Sequence, residues 1–377
     1  MPNSSQNSNK TLLIAAAVVL FMLVGASLDR KLEILPKLKQ LFVPDTVIAP
    51  LQIDSDPNLQ NFSRLPLTAE ATTDSFSQWQ ENTRQLIIKT AGSDLLPKAD
   101  VVPQFRVLSE ETLANGIVRQ LIAFKSFDQS EIPAYLHLPP GQQKLPAILV
   151  IPGHVRESES GIEQTALLDD SYQHAAARRL AEQGFVTLTP ELRGFGYLGA
   201  PYNTEHSIVA YNALLEGTSY KWLALKDIAY AMRLLRQLDR VDEQRTGVTG
   251  ASYGGELAVN YGALDTDVKA VVFQSYGGSV GIKSAITGSK NSQPHYCHIL
   301  PRVDRMVSLE QWLWLLAPRP TLGVRGDSDR LFKDDVISIY QQGWELAGEG
   351  TRPLFISAEG GHEYFVDPAV AFFREAL

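Results

Sequence analysis

From about residue 105 the chain alternates between short runs suited to strands and longer stretches with helical periodicity. Arg106–Leu108, Ile117–Phe127 and Ile132–Leu138 alternate apolar and polar positions and are punctuated by Asn115-Gly116 and by FDQSE, so they predict successive antiparallel strands. Ala147–Pro152 (AILVIP) is a continuous apolar run, as expected of a strand buried on both faces. A helix over His174–Gln183 should end at Gly184, where a left-handed cap is cheap, and Phe185–Pro190 is the next buried strand. Lys221–Leu238 is a long amphipathic helix. Strands at Thr246–Gly250, Val268–Gln274, Thr321–Arg325 and Leu354–Ser357 follow, with helices from Tyr253 and over Leu309–Leu316, Asp335–Leu346 and Tyr364–Glu375. Antiparallel strands followed by βαβ alternation predict an α/β fold with one mostly parallel sheet covered by helices on both faces. Ligand sites in such sheets lie at the carboxyl ends of the strands.

The amino-terminal third follows another pattern. Residues 1–10 are polar, and residues 11–28 (TLLIAAAVVLFMLVGASL) carry no charge. Eighteen such residues lie between a signal core and a full spanning helix. An uncleaved membrane anchor is the leading expectation, with a cleaved signal and a buried core helix as alternatives. Arg30, Lys31, Lys37 and Lys39 outnumber Lys10 in the flanks, which by the positive-inside rule would keep the following domain in the cytoplasm, whereas export would want the reverse. The side of the membrane stays open. Residues 29–65, with prolines at 36, 44, 50 and 57, form an expected linker. Residues 66–104 form an expected arm whose Ser75–Lys89 stretch is helical, and residues 105–377 the main domain. Segments near 197–220 and 277–310 interrupt the alternation and are expected to cap the site.

Composition narrows the function classes. The 377 residues are 44% hydrophobic and 20% charged, an ordinary globular balance that excludes disorder or a coiled coil for the whole chain. A net charge of −8 argues against a general nucleic-acid binder. One cysteine, Cys297, excludes an intramolecular disulfide. His295-Tyr296-Cys297-His298 offers ligand chemistry, but no second cluster stands at structural-zinc spacing, so the segment reads as part of the cap and no metal or cofactor is expected. The oligomeric state is left open.

The candidate chemistry is that of a nucleophilic serine. Gly250-Ala251-Ser252-Tyr253-Gly254 is a G-x-S-x-G sequence between a predicted strand and a predicted helix, where a tight turn lifts Oγ clear of the sheet. A Cβ at Gly250 or Gly254 would collide with neighbouring elements. The amide of Tyr253 is left at a helix amino end, suited to a developing oxyanion. Among the histidines after Ser252, His362 in EGGHEY lies in the loop after the last strand and is the candidate base. The acid should follow strand TLGVR, where Asp327 and Asp329 both stand; Asp329 is preferred, with Asp327 shaping the turn. The second oxyanion donor is expected in IPGHVRES, at the amide of His154.

These segments together resemble the α/β-hydrolase superfamily, and within it the acetyl xylan esterase and dienelactone hydrolase-like branch. The resemblance rests on LPAILVIPGH (145–154), PELRGFG (190–196), VDEQRTGVTGASYGG (241–255), LLAPRPTLGVRGDSDRLF (315–332) and EGGHEYF (359–365). Pro152 stands where the family commonly has His, and Glu191 where Asp is commoner. The resemblance implies a serine hydrolase acting on a small-molecule carboxylic ester, with acyl esters of carbohydrates among the candidates, and with Ser252, Asp329 and His362 as its triad. Residues 1–104 lie outside it. A prolyl-oligopeptidase-like serine peptidase is the nearest competitor, because its elbow also often reads G-x-S-Y-G-G. A non-catalytic interaction protein on the same fold is the second alternative.

Overall fold

The computed structural model describes residues 72–92, 95–98, 100–156, 159–199, 205–276, 295–307, 309–329, 337–348 and 353–377. The expected anchor (11–28), the linker (29–65), the first six residues of the arm and much of the second cap segment (277–294) therefore lie outside the described residues. No described helix is long and apolar enough to cross a membrane.

Nine strands form one sheet: β1 (Phe105–Thr112), β2 (Val118–Lys125), β3 (Glu131–Leu138), β4 (Leu145–Ile151), β5 (Val186–Pro190), β6 (Val241–Ala251), β7 (Ala270–Gln274), β8 (Thr321–Gly326) and β9 (Leu354–Ala358), in the order β1-β2-β3-β5-β4-β6-β7-β8-β9. The pairs β1/β2, β2/β3 and β3/β5 are antiparallel and every other pair is parallel. Helices α1 (Thr73–Ala91), α2 (Gly161–Ala166), α3 (Ala176–Ala181), α4 (His206–Leu215), α5 (Tyr220–Gln237), α6 (Tyr253–Leu264), α7 (Val303–Met306), α8 (Leu309–Trp314), α9 (Ile337–Leu346) and α10 (Val366–Ala376) complete the described elements, with a 3₁₀ turn at Tyr296–His298.

The period-2 alternation of side chains across a strand divides the core in two. On β4, Ala147, Leu149 and Ile151 join one cluster with Phe76 of α1, Leu225 of α5 and Leu257 of α6. Ile148 and Val150 join the other, with Ala177 and Leu180 of α3 and Val370 and Phe373 of α10. Both faces of the central strands are thus covered, which is why AILVI reads as an unbroken apolar run. The arm helix is part of this packing: Gln80 donates to the carbonyls of Trp314 and Ala317 at 2.7 and 2.8 Å, and Phe76 is fully buried.

Several boundaries differ from the sequence expectations for local reasons. The arm helix begins at Thr73 because Thr72 and Ser75 cap it reciprocally, side chain to backbone. Strand β1 runs on to Thr112, paired with β2 on either side of a bulge at Leu108, although its side chains are exposed. The helix expected from His174 begins at Ala176, since His174 and Ala175 have φ of 49° and 46°, outside the right-handed helical region. Gly184 does adopt the positive φ expected of it, at 95°. Helices α2 and α4 were not signalled by periodicity; both are short and lie in the loops above the sheet.

Candidate active site

Ser252 follows β6 directly and caps α6, with φ 58° and ψ −121°. A non-glycine residue there carries backbone strain of about 1–3 kcal/mol, and the surrounding structure holds it in place. Its amide donates to the Gln274 carbonyl at 2.9 Å. The glycines of the elbow are sterically required. A Cβ on Gly250 would stand 2.4 Å from the Gly254 carbonyl carbon, and one on Gly254 would stand 2.1 Å from the Ile151 carbonyl oxygen. The first turn of α6 is thereby pressed against the end of β4.

His362 lies in the loop after β9, and its Nδ1 is 2.9 Å from Oδ2 of Asp329, which follows β8. The carboxylate accepts, so Nδ1 is the donor, which in a neutral imidazole leaves the lone pair on Nε2. The Asp329 side chain is 1% exposed and the His362 side chain 33%. Of the two candidate acids, the structure brings Asp329 to the imidazole. Asp327 shapes the turn, its Oδ1 accepting from the Gly360 amide at 3.2 Å. The closest approach of the histidine loop to the sheet occurs at Gly326, where a Cβ would lie 2.1 Å from the Gly361 carbonyl oxygen. Gly360 has φ 146°, whereas Gly361 has open space around it.

One residue that sequence reasoning passed over links the candidate nucleophile and the candidate base. Gln274, at the carboxyl end of β7, accepts from Ser252 through its backbone carbonyl. Its side chain accepts from the Phe365 amide at 2.6 Å and donates to the Phe365 carbonyl at 3.1 Å. The next residue, Ser275, donates through Oγ to the Glu363 carbonyl at 2.9 Å and accepts from the Glu363 amide at 3.1 Å. A glutamine closing the apolar run AVVFQ was the available signal, because a buried polar side chain there needs partners.

The loop in which the second oxyanion donor is expected follows β4. Pro152 has no amide hydrogen, and the Gly153 amide is committed to Gln173 Oε1 at 2.8 Å. A Cβ on Gly153 would lie 2.1 Å from the Tyr172 hydroxyl, so only glycine fits. Among the described residues none accepts from the amides of His154 or Tyr253. Tyr172 braces the loop: its hydroxyl donates to the His154 carbonyl at 2.8 Å, and its own carbonyl accepts from Tyr364 at 2.8 Å. Beneath the loop, Glu191 accepts from Ser160 Oγ at 2.6 Å and from the Gly161 amide at 3.1 Å. Burial, only partly offset by these hydrogen bonds, raises its carboxyl to about 7.

The His154 side chain belongs to a different assembly. Its ring stacks on Tyr253 at 4.4 Å and 12°, and its Nε2 is 3.2 Å from Cys297 Sγ. His206 of α4, His295 and His298 lie around it, with ring centroids 5.2, 6.1 and 5.4 Å away. Burial and these three imidazoles hold His154 well below the ordinary imidazole range. Two histidines from elsewhere in the chain, His154 and His206, thus lie against the segment that carries Cys297. No interval in the sequence could have shown this.

The fold is of the α/β-hydrolase type. Residues 132–305 match the dienelactone hydrolase family. The match spans 174 of the 377 residues. The chain is 25% identical over 257 residues to a protein of Methylorubrum extorquens assigned as a carboxymethylenebutenolidase, covering 68% of this chain and 75% of that one. Among solved structures it is similar to a Bacteroides fragilis protein assigned as an acetyl xylan esterase, with TM-score 0.64, 17% identity, and coverage of 83% and 82% of the two chains. It is also similar to a glucuronoyl esterase from Solibacter usitatus, with TM-score 0.52, 16% identity, and coverage of 79% and 93%. At those identities the structural likeness establishes the fold.

Proposed function

We propose that this α/β-hydrolase cleaves carboxylic esters through an acyl-enzyme formed at Ser252. Ser252 Oγ attacks the ester carbonyl while His362 Nε2 takes its proton, and Asp329 stabilises the imidazolium. The amides of Tyr253 and His154 receive the oxyanion. Collapse of the tetrahedral intermediate breaks the bond to the alcohol, which leaves protonated by His362. Water, deprotonated by the same imidazole, then releases the acid. The observation that carries this reading is the buried Asp329 carboxylate on His362 Nδ1, in a loop clamped by Gln274 to the strand end that also holds the Ser252 amide. The names of the relatives favour ester over peptide chemistry, and acetylated carbohydrates are the first substrates to try.

The test is a panel of short p-nitrophenyl esters, acetylated sugars and aminoacyl amides, together with active-site labelling by a fluorophosphonate. Ester turnover and stoichiometric labelling should both vanish in Ser252→Ala, with kcat falling about 10⁵-fold. Amide cleavage outpacing ester cleavage would replace the esterase by a peptidase. An inert, unlabelled wild-type protein would favour an interaction role.

We also infer that residues 11–28 tether this domain to a membrane. The support is the uncharged run itself, which at 1.5 Å per residue reaches about 27 Å, close to a hydrocarbon core of about 30 Å. Carbonate-resistant sedimentation of the full chain is expected. Soluble protein with an amino terminus at Ser27 would show a cleaved signal instead.

A further inference from the structure

The His/Cys assembly beside the elbow brings together the donor atoms that a metal ion takes. The ligand atoms of His154, Cys297 and His298 lie within 4.8 Å of one another, and so do those of His206, His295 and Cys297. The two sets share the Cys297 sulfur. Imidazole and thiolate together are the ligand chemistry of zinc. With bonds of about 2.0–2.3 Å, a tetrahedral ion holds its ligand atoms about 3.3–3.7 Å apart. The 3.2 Å separation of His154 Nε2 and Cys297 Sγ already suits that spacing, and the other pairs within each set, at up to 4.8 Å, close to it with shifts on the order of 1 Å; His206 reaches the first set through the shared sulfur.

Two further observations point to an ion. His206 Nδ1 is buried without a hydrogen-bond partner, a nitrogen that coordination would satisfy. His298 Nδ1 lies 2.6 Å from Glu256 Oε2, which leaves Nε2 to coordinate; a carboxylate behind an imidazole is the usual outer support of a zinc-bound histidine. Glu256 is itself held by Lys221 through its other oxygen. Cys297 and His298 are buried, and His295 stands at the exposed rim.

We propose that Cys297, His154 and His298, with His206 as fourth ligand, bind one Zn²⁺. On binding, the Cys297 thiol loses its proton to solvent and a zinc–sulfur bond forms, with no change of oxidation state. The ion joins three segments far apart in the sequence: the oxyanion loop at His154, the cap helix at His206, and the second cap segment at Cys297 and His298. It is a clamp that ties His206 and the Cys297–His298 turn to the loop at His154, and no step of ester hydrolysis passes through it.

Full-length protein, produced without a histidine tag and stripped by chelator, is titrated with Co²⁺ as a spectroscopic stand-in. The expected result is saturation at one equivalent, with intense visible bands of a tetrahedral site and a near-ultraviolet thiolate-to-cobalt band. Zn²⁺ should displace both and raise the melting temperature. Cys297→Ser should abolish the thiolate band. It should also weaken Zn²⁺ binding by more than the roughly 10–100-fold that loss of an outer-shell partner costs. Glu256→Gln should weaken binding within that range while keeping the band. His154→Ala tests the loop ligand, and circular dichroism confirms that each variant is folded. Absence of tetrahedral bands in excess Co²⁺ would overturn the proposal, as would a thiolate-free spectrum or unchanged affinity in His154→Ala. None of these readings involves ester hydrolysis, so the clamp stands or falls separately from the hydrolase reading.

Discussion

Glu191 gives the molecule a pH-dependent stability that can be isolated by one substitution. Its carboxyl is 1% exposed and is raised from 4.5 to about 7, burial being the main cause. A raised folded-state value means that the folded protein binds the proton more tightly than the unfolded chain. Stability is therefore fully present below about 4.5 and is lost as pH rises through about 7. A shift of about 2.5 units corresponds to about 3.4 kcal/mol in full, of which about 2.5 kcal/mol falls between pH 5 and pH 8. The buried His137 works in the opposite sense. Burial, with smaller contributions from Arg119 and Arg178, lowers it to about 3, so its contribution grows as pH rises toward the unfolded value near 6.5. The wild-type profile alone thus mixes the two. Glu191→Gln keeps an acceptor for the Gly161 and Leu192 amides and places an amide donor against Ser160 Oγ, so it removes the titration with little change in shape. Urea unfolding of both proteins from pH 5 to pH 8 should show the variant gaining on wild type by about 2.5 kcal/mol across the range. A difference that stays flat, or that favours wild type increasingly at high pH, would refute the reasoning.

Three further outcomes follow from the geometry of the site. Asp329→Asn should lower kcat by about 10⁴-fold because the amide cannot fix the imidazole tautomer, while Asp327→Asn, which keeps an acceptor for Gly360, should cost roughly tenfold or less; steady-state kinetics that reverse the ranking would move the acid to Asp327. Gln274→Leu leaves the Phe365 amide and carbonyl without their partner, which should destabilise the fold by about 2–5 kcal/mol in urea and lower kcat more than it raises KM. Gly326→Ala drives a methyl into the Gly361 carbonyl and should shift His362 far enough to reduce kcat about 10²-fold, with wild-type secondary structure by circular dichroism.

The parts legible in the sequence were those whose constraint is local. The elbow glycines, the apolar runs of β4 and β7 and the glycine after α3 each answer to a neighbour a few residues away or to burial of a whole strand. The preference for Asp329 over Asp327 was legible for a similar reason: the turn after β8 must return over the sheet before it can reach His362. What escaped depends on residues brought together from distant segments. Gln274 contacts Phe365, ninety-one positions on. His154 meets Cys297 across one hundred and forty-three. Helix α4 has no clear apolar face, only Ala210 and Ala213 being buried on it, so periodicity could not announce it.

Tyr253 shows why the elbow and the His/Cys assembly constrain each other. Its amide, at the amino end of α6, is the donor nearest in sequence to the nucleophile and is set by the Ser252 turn. Its side chain points to the other assembly: the ring stacks on His154, and the hydroxyl donates to the Cys297 carbonyl at 2.8 Å. The ring is 1% exposed, so it cannot follow one neighbour without disturbing the other. The loop carrying the His154 amide is thus gripped from the Tyr253 ring on one side and from the Tyr172 hydroxyl on the other. Oxyanion geometry in such a site is a property of packing around the loop as much as of the loop itself. Pro152, where the resembled family commonly has histidine, is accordingly compatible with an ordered amide at position 154, because the order is imposed by Tyr172 and Tyr253 and not by the residue preceding Gly153.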